Sequence, residues 1–160
     1  MSLDKFAFKQ ALSQWASGVT VVTTQWNGEN FGLTASSFTS VSLEPPLISV
    51  CLARSLYTHE LLQHSGLFAV SILAADQIEM GQRFAGLIPE LEDRFEGLHC
   101  PVAVTGCPII PGCLAWLDCR VQHSFEAGDH TLFVGEVLEA KVGDDGAPLL
   151  YYNRDWRKLG

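Results

Sequence analysis

The dipeptide Asn27-Gly28 constrains the fold more than any other feature of this chain, because it lies between two strand-like runs. The run before it, residues 19–24, is β-branched throughout, and residues 31–36 after it also have strand character. Asn-Gly is the residue pair that favours the two-residue turn of a β-hairpin. We therefore predict that the two runs pair antiparallel and that the chain is built on an antiparallel sheet.

Further strands are predicted where apolar and β-branched residues run together or alternate with polar residues. These segments are residues 41–43, 47–52, 67–73, 113–124, 130–141 and 149–152. In the fourth of them, the alternation predicts that Asp118 lies on the polar face and Cys119 on the apolar face. Many short strands with few helices predict a mainly β fold, a closed or nearly closed antiparallel barrel with peripheral helices, in a single domain over residues 1–160.

Three helices are predicted around this sheet. Apolar residues at helical spacing predict an amphipathic helix over residues 3–16. Thr58 and Asp76 are predicted to be the N-caps of the second and third helices, and Gly66 is predicted to end the second. Residues 86–106 are the least regular part of the chain, and we predict an excursion around one short helical turn that acts as a lid.

Length and charge limit the class of protein. A chain of 160 residues fits one domain with a sizeable core, and 48% hydrophobic residues is typical of a packed globular protein or an obligate dimer. The net charge of −8 opposes non-specific nucleic-acid binding. No apolar run reaches the ~18 residues that a membrane span needs, and the first residues are unlike a signal peptide. We expect a cytoplasmic protein with no nucleic-acid partner and no membrane partner.

The cysteines are predicted to be reduced thiols. They are five in number, and they stand at Cys51, Cys100, Cys107, Cys113 and Cys119. None belongs to a Cys-x-x-Cys pair, so neither a disulfide framework nor a metal-ligand knuckle is expected.

Two stretches have the composition of a ligand site. Residues 34–37 are four small side chains in a row, which would let a flat or charged ligand approach the backbone; a polar loop with local turns is the alternative. Farther along, a strand, a polar turn and a helix beginning near Thr58 would form an anion site, with a simple capped helix as the alternative. The Gly-x-Gly-x-x-Gly, Walker and Gly-x-Ser-x-Gly motifs are missing, which disfavours an ordinary Rossmann dehydrogenase, kinase or hydrolase.

Eight short segments follow one another in the order known from one protein family: residues 18–24, 32–38, 44–47, 58–59, 68–70, 83–85, 128–131 and 150–152. In these segments the chain resembles the flavin reductase-like proteins, which are short-chain NAD(P)H:flavin oxidoreductases with an FMN-binding split β-barrel. The resemblance extends from about Phe8 to Tyr152. It implies a split β-barrel, a homodimer with flavin near the subunit interface, and a role as the reductase component of a two-component monooxygenase.

The same resemblance implies a flavin site. The isoalloxazine ring would be lined by residues of two strands and of the turns that follow them: Thr34, Ala35, Ser36, Ser37, Phe38, Cys51, Leu52 and Ala53. Ser55 and Thr58 would receive the flavin phosphate, in agreement with the helix N-terminus predicted there.

The resemblance implies further cofactor contacts. Arg83 and Phe84 would approach the flavin. His130, in a Gly-Asp-His motif, would bind NADH, and Tyr152 would lie near that cleft. No catalytic side chain and no metal are expected, because hydride transfer from nicotinamide to flavin is carried by the cofactors themselves.

The function implied is an NADH- or NADPH-dependent reductase of FMN or FAD that supplies a partner flavin-dependent monooxygenase. A non-catalytic FMN-binding electron-transfer protein is the alternative, since the same barrel serves both. Reduction of another acceptor through bound flavin, such as ferric iron or a corrinoid, is a third possibility. The Gly-Asp-His match at residues 128–130 favours the enzyme.

Overall fold

The computed structural model describes residues 2–160 and contains three helices and ten strands among them. The helices are α1 (Lys5–Ser13), α2 (Tyr57–Ser65) and α3 (Ile78–Phe84). The strands are β1 (Ser17–Gly18), β2 (Thr20–Trp26), β3 (Glu29–Ala35), β4 (Thr39–Ser42), β5 (Leu47–Ala53), β6 (Leu67–Ile72), β7 (Ala115–Ala127), β8 (His130–Val142), β9 (Leu150–Tyr152) and β10 (Asp155–Arg157).

Seven strands form one antiparallel sheet in the order β3-β2-β6-β7-β8-β5-β4, and β1, β9 and β10 form a small second sheet. Across residues 2–160 the large sheet does not close on itself, as expected for a split barrel. Its gap is bridged by a side chain: the Ser37 hydroxyl, just after β3, donates to the carbonyl of Cys51 in β5 (2.9 Å) and accepts from its N–H (3.0 Å). The predicted mainly β split barrel with peripheral helices is confirmed.

The predicted hairpin is also confirmed. Strands β2 and β3 pair from Thr20 opposite Ala35 to Trp26 opposite Glu29. Asn27 and Gly28, which connect them, have φ angles of 53° and 78°. Positive φ at both central residues is the geometry that Asn-Gly allows at low cost.

The sheet separates two hydrophobic cores. One fills the barrel, where Val50, Leu52, Phe68 and Phe133 are almost completely buried. The other lies between the outside of β2 and helix α3, around the fully buried ring of Phe84. The second core fixes the position of α3 against β3, which is the strand with the small side chains.

Two predicted helix caps are wrong. Helix α2 follows Leu56 as N-cap, and no described side chain caps it, while Thr58 is already inside the helix and buried. Helix α3 follows Gln77 rather than Asp76. The predicted end of α2 is confirmed, since Gly66 has a φ of 68°.

The predicted exposure of Asp118 is wrong as well. A bulge between Asp118 and Cys119 interrupts the pairing of β7 with β8, and both side chains are fully buried. The Asp118 carboxylate accepts from the N–H of Thr105 (2.8 Å) and from its hydroxyl, which satisfies the buried charge. Residues 86–106 contain neither a helix nor a strand, but the Glu96 N–H donates to the carbonyl of Asp93 (3.1 Å) and the Leu98 N–H to that of Phe95 (3.0 Å), so the segment turns there without forming a helix.

Three observations bear on the remaining expectations. Among residues 2–160, no helix is long and apolar enough to cross a membrane. All five cysteines are free thiols. The described part of the chain has no group of three or more His, Cys, Asp and Glu side chains that could hold a metal ion.

Candidate functional site

The gap of the barrel, where Ser37 bridges to β5, is the centre of the candidate site. Because Ser37 is bonded to Cys51, the half-buried side chains of Cys51 and Ala53 continue the surface that begins at the end of β3. The β5–β8 register places Ala53 directly opposite His130. The structure therefore brings together four of the predicted residues: Ser37, Cys51, Ala53 and His130.

The end of β3 forms a second part of this surface. Thr34, Ala35 and Ser36 line a cleft of about 320 Å³ together with Ala85 and Trp156. The Thr34 hydroxyl donates to the carbonyl of Gly81 in α3 (2.6 Å), so this side chain is held by α3. The cleft has small residues on one side and an aromatic ring on the other, which suits a flat ligand.

Helix α2 begins beside this surface, but its two predicted phosphate ligands lie in different depressions. Ser55 is exposed in an open depression of about 540 Å³ that it shares with Gly128 and Asp129. Thr58 is buried and borders a cleft of about 430 Å³ with Arg94. Since no side chain of the described chain caps α2, the N–H groups of Tyr57 and Thr58 are available to an anion, whereas the N–H of His59 donates to the carbonyl of Leu56 (3.1 Å).

The turn between β7 and β8 carries His130 and is held by Arg54. The Arg54 N–H donates to the carbonyl of Asp129 (2.9 Å), and its guanidinium donates to that of Gly128 (2.8 Å). His130 Nδ1 lies 2.8 Å from a carboxylate oxygen of Asp129. This hydrogen bond and the charge of His130 hold the pKa of the Asp129 carboxyl below its usual range. The imidazole of His130 remains 44% exposed, so one face is free for a ligand.

Arg83 and Phe84 hold another segment in place. The Phe84 ring is fully buried and packs edge-on against Phe95, so it does not reach an open cleft. The Arg83 guanidinium donates to the carbonyls of Arg94 (3.3 Å) and Glu96 (2.7 Å). Its buried Nε has no hydrogen-bond partner within residues 2–160.

Arg94 also donates hydrogen bonds to backbone carbonyls. Its guanidinium donates to the carbonyls of Gly32 in β3 (3.0 Å) and Phe84 in α3 (2.9 Å). The two arginines therefore fasten the middle of residues 86–106 to α3 and to β3, the strand that carries Thr34. The predicted lid remains a prediction, and this part of the segment is anchored to the barrel.

Three predicted residues have other surroundings. Leu52 points into the barrel core, and Phe38 packs against the same core. The Tyr152 hydroxyl donates to Gln14, just after α1 (3.0 Å), whereas its neighbour Tyr151 lines the cleft beside Thr34.

Sequence reasoning did not find five residues that line the cleft beside Thr34: Val19, Ala85, Leu87, Tyr151 and Trp156. Ala85 follows the predicted pair Arg83 and Phe84, and that adjacency was a usable signal. No local pattern marks Trp156, because its position depends on the pairing of β9 with β10.

The thiols of the site are not set up as nucleophiles. Burial, and to a smaller degree the charge of Asp129, raise the pKa of Cys51 above its ordinary value. Behind the site, in the barrel core, burial likewise raises the pKa of Cys119 to about 12. A raised pKa keeps a thiol protonated at neutral pH, and it is the thiolate that reacts. The residues gathered here offer hydrogen bonds and flat contact surface.

Helix α1 presents an unusual apolar surface next to this site. Phe6, Leu12 and Trp15 are 59%, 58% and 79% exposed. They line a groove of about 710 Å³, which also reaches Ser36 and Tyr151. Exposed apolar surface of this kind marks an interaction site.

Comparisons with known proteins agree with this architecture. Residues 12–160 match the family model of the flavin reductase like domain. The reductase component of 4-hydroxyphenylacetate 3-monooxygenase from Thermus thermophilus is 38% identical over 155 residues, which cover 97% of this chain and 97% of that protein. A probable flavin reductase from Rhizobium meliloti is 42% identical over 135 residues, which are 84% of this chain and 42% of that longer protein.

A solved structure shows the same fold at similar identity. It is the NADH:FAD oxidoreductase from Streptomyces globisporus in complex with NAD and FAD fragments, with a TM-score of 0.90 and 33% identity. The match covers 100% of this chain and 98% of that chain.

Proposed function

We propose, because the chain belongs to the flavin reductase-like family, that it is an NADH-dependent flavin reductase acting on FMN or FAD. We further propose that it supplies reduced flavin to a partner monooxygenase. The observation that carries the proposal is a 38% identity that covers 97% of both this chain and a named monooxygenase reductase component.

The residues of the gap fit a flavin. Small side chains at Ala35 and Ser36 border a cleft with room for a flat ring, and the next residue, Ser37, bonds across the gap to Cys51. The uncapped start of α2 and the exposed Ser55 hydroxyl lie along the same surface and suit the phosphate. We therefore keep residues 34–37, Cys51, Ala53, Ser55 and Thr58 as flavin contacts and leave out Phe38, which packs against the barrel core.

The role of the protein in this reaction is to bind and orient. Bound flavin and nicotinamide supply the hydride chemistry themselves. Thr34, held by Gly81, and Ser37, held by Cys51, keep the wall of the site rigid. His130 projects from the β7–β8 turn with one face free, where it can position a nicotinamide nucleotide against that wall. Asp129 orients the imidazole through Nδ1.

Steady-state kinetics test this function. Cofactor-stripped protein is mixed with NADH and with FMN, FAD or riboflavin in turn, and the loss of the NADH absorbance band is followed. We expect turnover with at least FMN or FAD. NADPH in place of NADH gives the nicotinamide preference. Tight flavin binding without oxidation of either NADH or NADPH would overturn the proposal in favour of a non-catalytic electron carrier.

We also propose that the chain forms a homodimer and works in the cytoplasm. The exposed apolar groove of α1 supports the dimer, because a second copy would remove Phe6 and Trp15 from water. The five free thiols support a reducing compartment. Light scattering should give twice the chain mass of 17.5 kDa with flavin present. A mass of one chain at micromolar concentration would contradict the dimer.

A further inference from the structure

We propose that His59 and Thr131 act as a positioning pair that sets the start of α2, where the flavin phosphate binds, relative to His130, which holds the nicotinamide. The proposal rests on the proposed function, since it assigns a role to two residues that border both parts of that site. Neither residue touches a ligand in this assignment. Their effect is exerted through their neighbours in sequence, Thr58 and His130.

The pair is short and buried. His59 Nε2 and Thr131 Oγ1 share a hydrogen bond of 2.8 Å. His59 is 6% exposed and Thr131 is 1% exposed, so water does not compete for this bond. The imidazole also packs against the ring of Phe133, with ring centroids 5.4 Å apart. Phe133 belongs to the barrel core, which fixes the ring from a second side.

The pair lies next to residues of both proposed ligand sites, so its geometry can affect the binding of both ligands. His59 lies in the first turn of α2, directly after Thr58. Thr131 is the second residue of β8, directly after His130, and pairs with Leu52 while His130 pairs with Ala53. This hydrogen bond therefore connects the first turn of α2, where we propose that the phosphate binds, to the start of β8, which carries His130. A shift of either element would move a predicted ligand contact.

Burial favours a neutral imidazole at His59, and Arg54 adds to this effect, whereas the charges of Glu126 and Glu60 oppose it. Arg54 approaches His59 from the segment before α2, Glu60 from α2 itself and Glu126 from β7. Arg54 also holds the β7–β8 turn through the carbonyls of Gly128 and Asp129. The turn is thus fastened twice, by Arg54 at its tip and by the pair at its base. A hydrogen bond between two neutral groups can be buried without the desolvation cost of a charge.

The test compares Thr131→Val with Thr131→Ser. Valine keeps the shape and the β-branch but removes the hydroxyl that bonds to His59, whereas serine keeps that hydroxyl. We expect Thr131→Val to raise both the flavin Kd and the NADH KM by about five-fold, the effect of one lost hydrogen bond, with kcat within about two-fold. Thr131→Ser should restore both values to near those of the unmodified protein.

Thr24→Val is the matched control. Thr24 is also fully buried, and its hydroxyl bonds to Ser65 Oγ and the carbonyl of Leu67 (both 2.8 Å), at the opposite end of α2. It should lower the unfolding temperature and leave the flavin Kd and the NADH KM unchanged. Equal changes in both constants for Thr24→Val and Thr131→Val would show that the effect is one of general stability and would overturn the proposal.

Two further outcomes would overturn the proposal, and one would distinguish its failure from failure of the proposed function. Unchanged Kd and KM in a folded Thr131→Val protein would overturn the pair. If Thr131→Val does not fold, His59→Phe takes its place, because it keeps an aromatic ring but cannot bond to the Thr131 hydroxyl. Values equal to those of the unmodified protein would overturn the proposal in the same way. The flavin Kd is measured by fluorescence quenching without NADH. An unmodified protein that binds flavin but does not oxidise NADH would therefore refute the proposed function and leave the flavin arm of this test intact.

Discussion

The two sides of the barrel gap are built differently. On the α3 side, Thr34 is bonded to Gly81, and Arg83 and Arg94 fasten residues 86–106 through four backbone carbonyls. On the side of the β7–β8 turn, His130 is 44% exposed and the Asp129 carboxylate to which it bonds is almost fully in solvent. The first side is part of a hydrophobic core, and the second is a short turn on the surface.

This difference matches the two ligands of the proposed reaction. A rigid wall gives the flavin a fixed orientation without an ordering cost at each binding event. An open turn allows a nicotinamide nucleotide to enter and leave in every catalytic cycle. Substitutions on the α3 side should therefore change stability together with flavin binding, whereas substitutions on the turn side should change NADH kinetics with little effect on stability.

Glycines on the two sides provide the strongest contrast. A Cβ on Gly81 would lie 2.8 Å from the ring of Trp156, so Gly81→Ala must displace that ring or α3. We expect the free energy of unfolding to fall by about 2–3 kcal/mol, because overpacking a core costs that much. Flavin binding should weaken as well, since the Gly81 carbonyl holds Thr34. Urea unfolding and fluorescence quenching measure the two effects.

Gly128→Ala and Gly128→Asn are the control pair on the turn side. A Cβ there would meet no described atom within 4 Å, but the φ of 63° is left-handed. Alanine should cost about 1 kcal/mol of stability, and asparagine less, because asparagine tolerates this conformation. Gly81→Ala with unchanged stability and flavin affinity would show that the α3 side is not the rigid wall described here.

The start of α2 lies between the two sides of the gap, and substitutions there test the proposed phosphate site separately from both. The double variant Ser55→Ala with Thr58→Val should weaken FMN binding by about 2 kcal/mol, the usual value for hydrogen bonds to a charged group. Riboflavin, which lacks the phosphate, should bind as before. Valine at position 58 keeps the shape of a buried side chain. Equal losses for FMN and riboflavin would refute the phosphate site.

The same helix shows what the sequence can and cannot predict. The Asn27-Gly28 hairpin and the glycine end of α2 were predictable, because a local backbone geometry demands those residues. The helix starts were not, since a threonine or an aspartate near a helix start can be a cap or can be used elsewhere. Thr58 is buried inside α2, and Gln77 takes the place expected of Asp76.

Tertiary contacts account for the other differences. The bulge at Asp118 depends on Thr105, which lies in an irregular segment with no periodic pattern. Of the predicted site residues, Ser37, Cys51 and His130 lie at the gap, and their contacts with flavin and nicotinamide remain predictions. The order of segments could not separate contacts from supports: Phe84 belongs to the core behind the site, and Arg83 holds residues 86–106.

His130→Ala tests the turn side directly. Loss of one contact to the nicotinamide nucleotide should cost about 1–2 kcal/mol, or roughly ten- to thirty-fold in kcat/KM for NADH. The flavin Kd and the unfolding temperature should hardly change, because the imidazole is half exposed and lies outside the cores. Unchanged NADH kinetics would remove His130 from the site. A collapse of flavin binding would instead make the turn part of the flavin pocket and erase the contrast between the two sides.

The smallest expected effect is a pH dependence of stability that comes from His59, whose side chain connects α2 to the start of β8. Burial, assisted by Arg54, lowers the pKa of His59 below its ordinary value of 6.5, while Glu126 and Glu60 oppose the shift. Between the lowered pKa and about 6.5, the unfolded chain binds a proton that the folded chain does not. The free energy of unfolding therefore falls as the pH drops through this window, and His59→Gln, which cannot titrate, should show a flatter dependence there.

Urea unfolding at several pH values between 5 and 7.5 measures both slopes, and the difference between the two proteins removes the contribution of the carboxyl groups. Equal slopes would mean that His59 takes up its proton as readily in the folded protein as in the unfolded chain. In that case the His59–Thr131 hydrogen bond would be open to solvent and would not hold the start of β8 against α2.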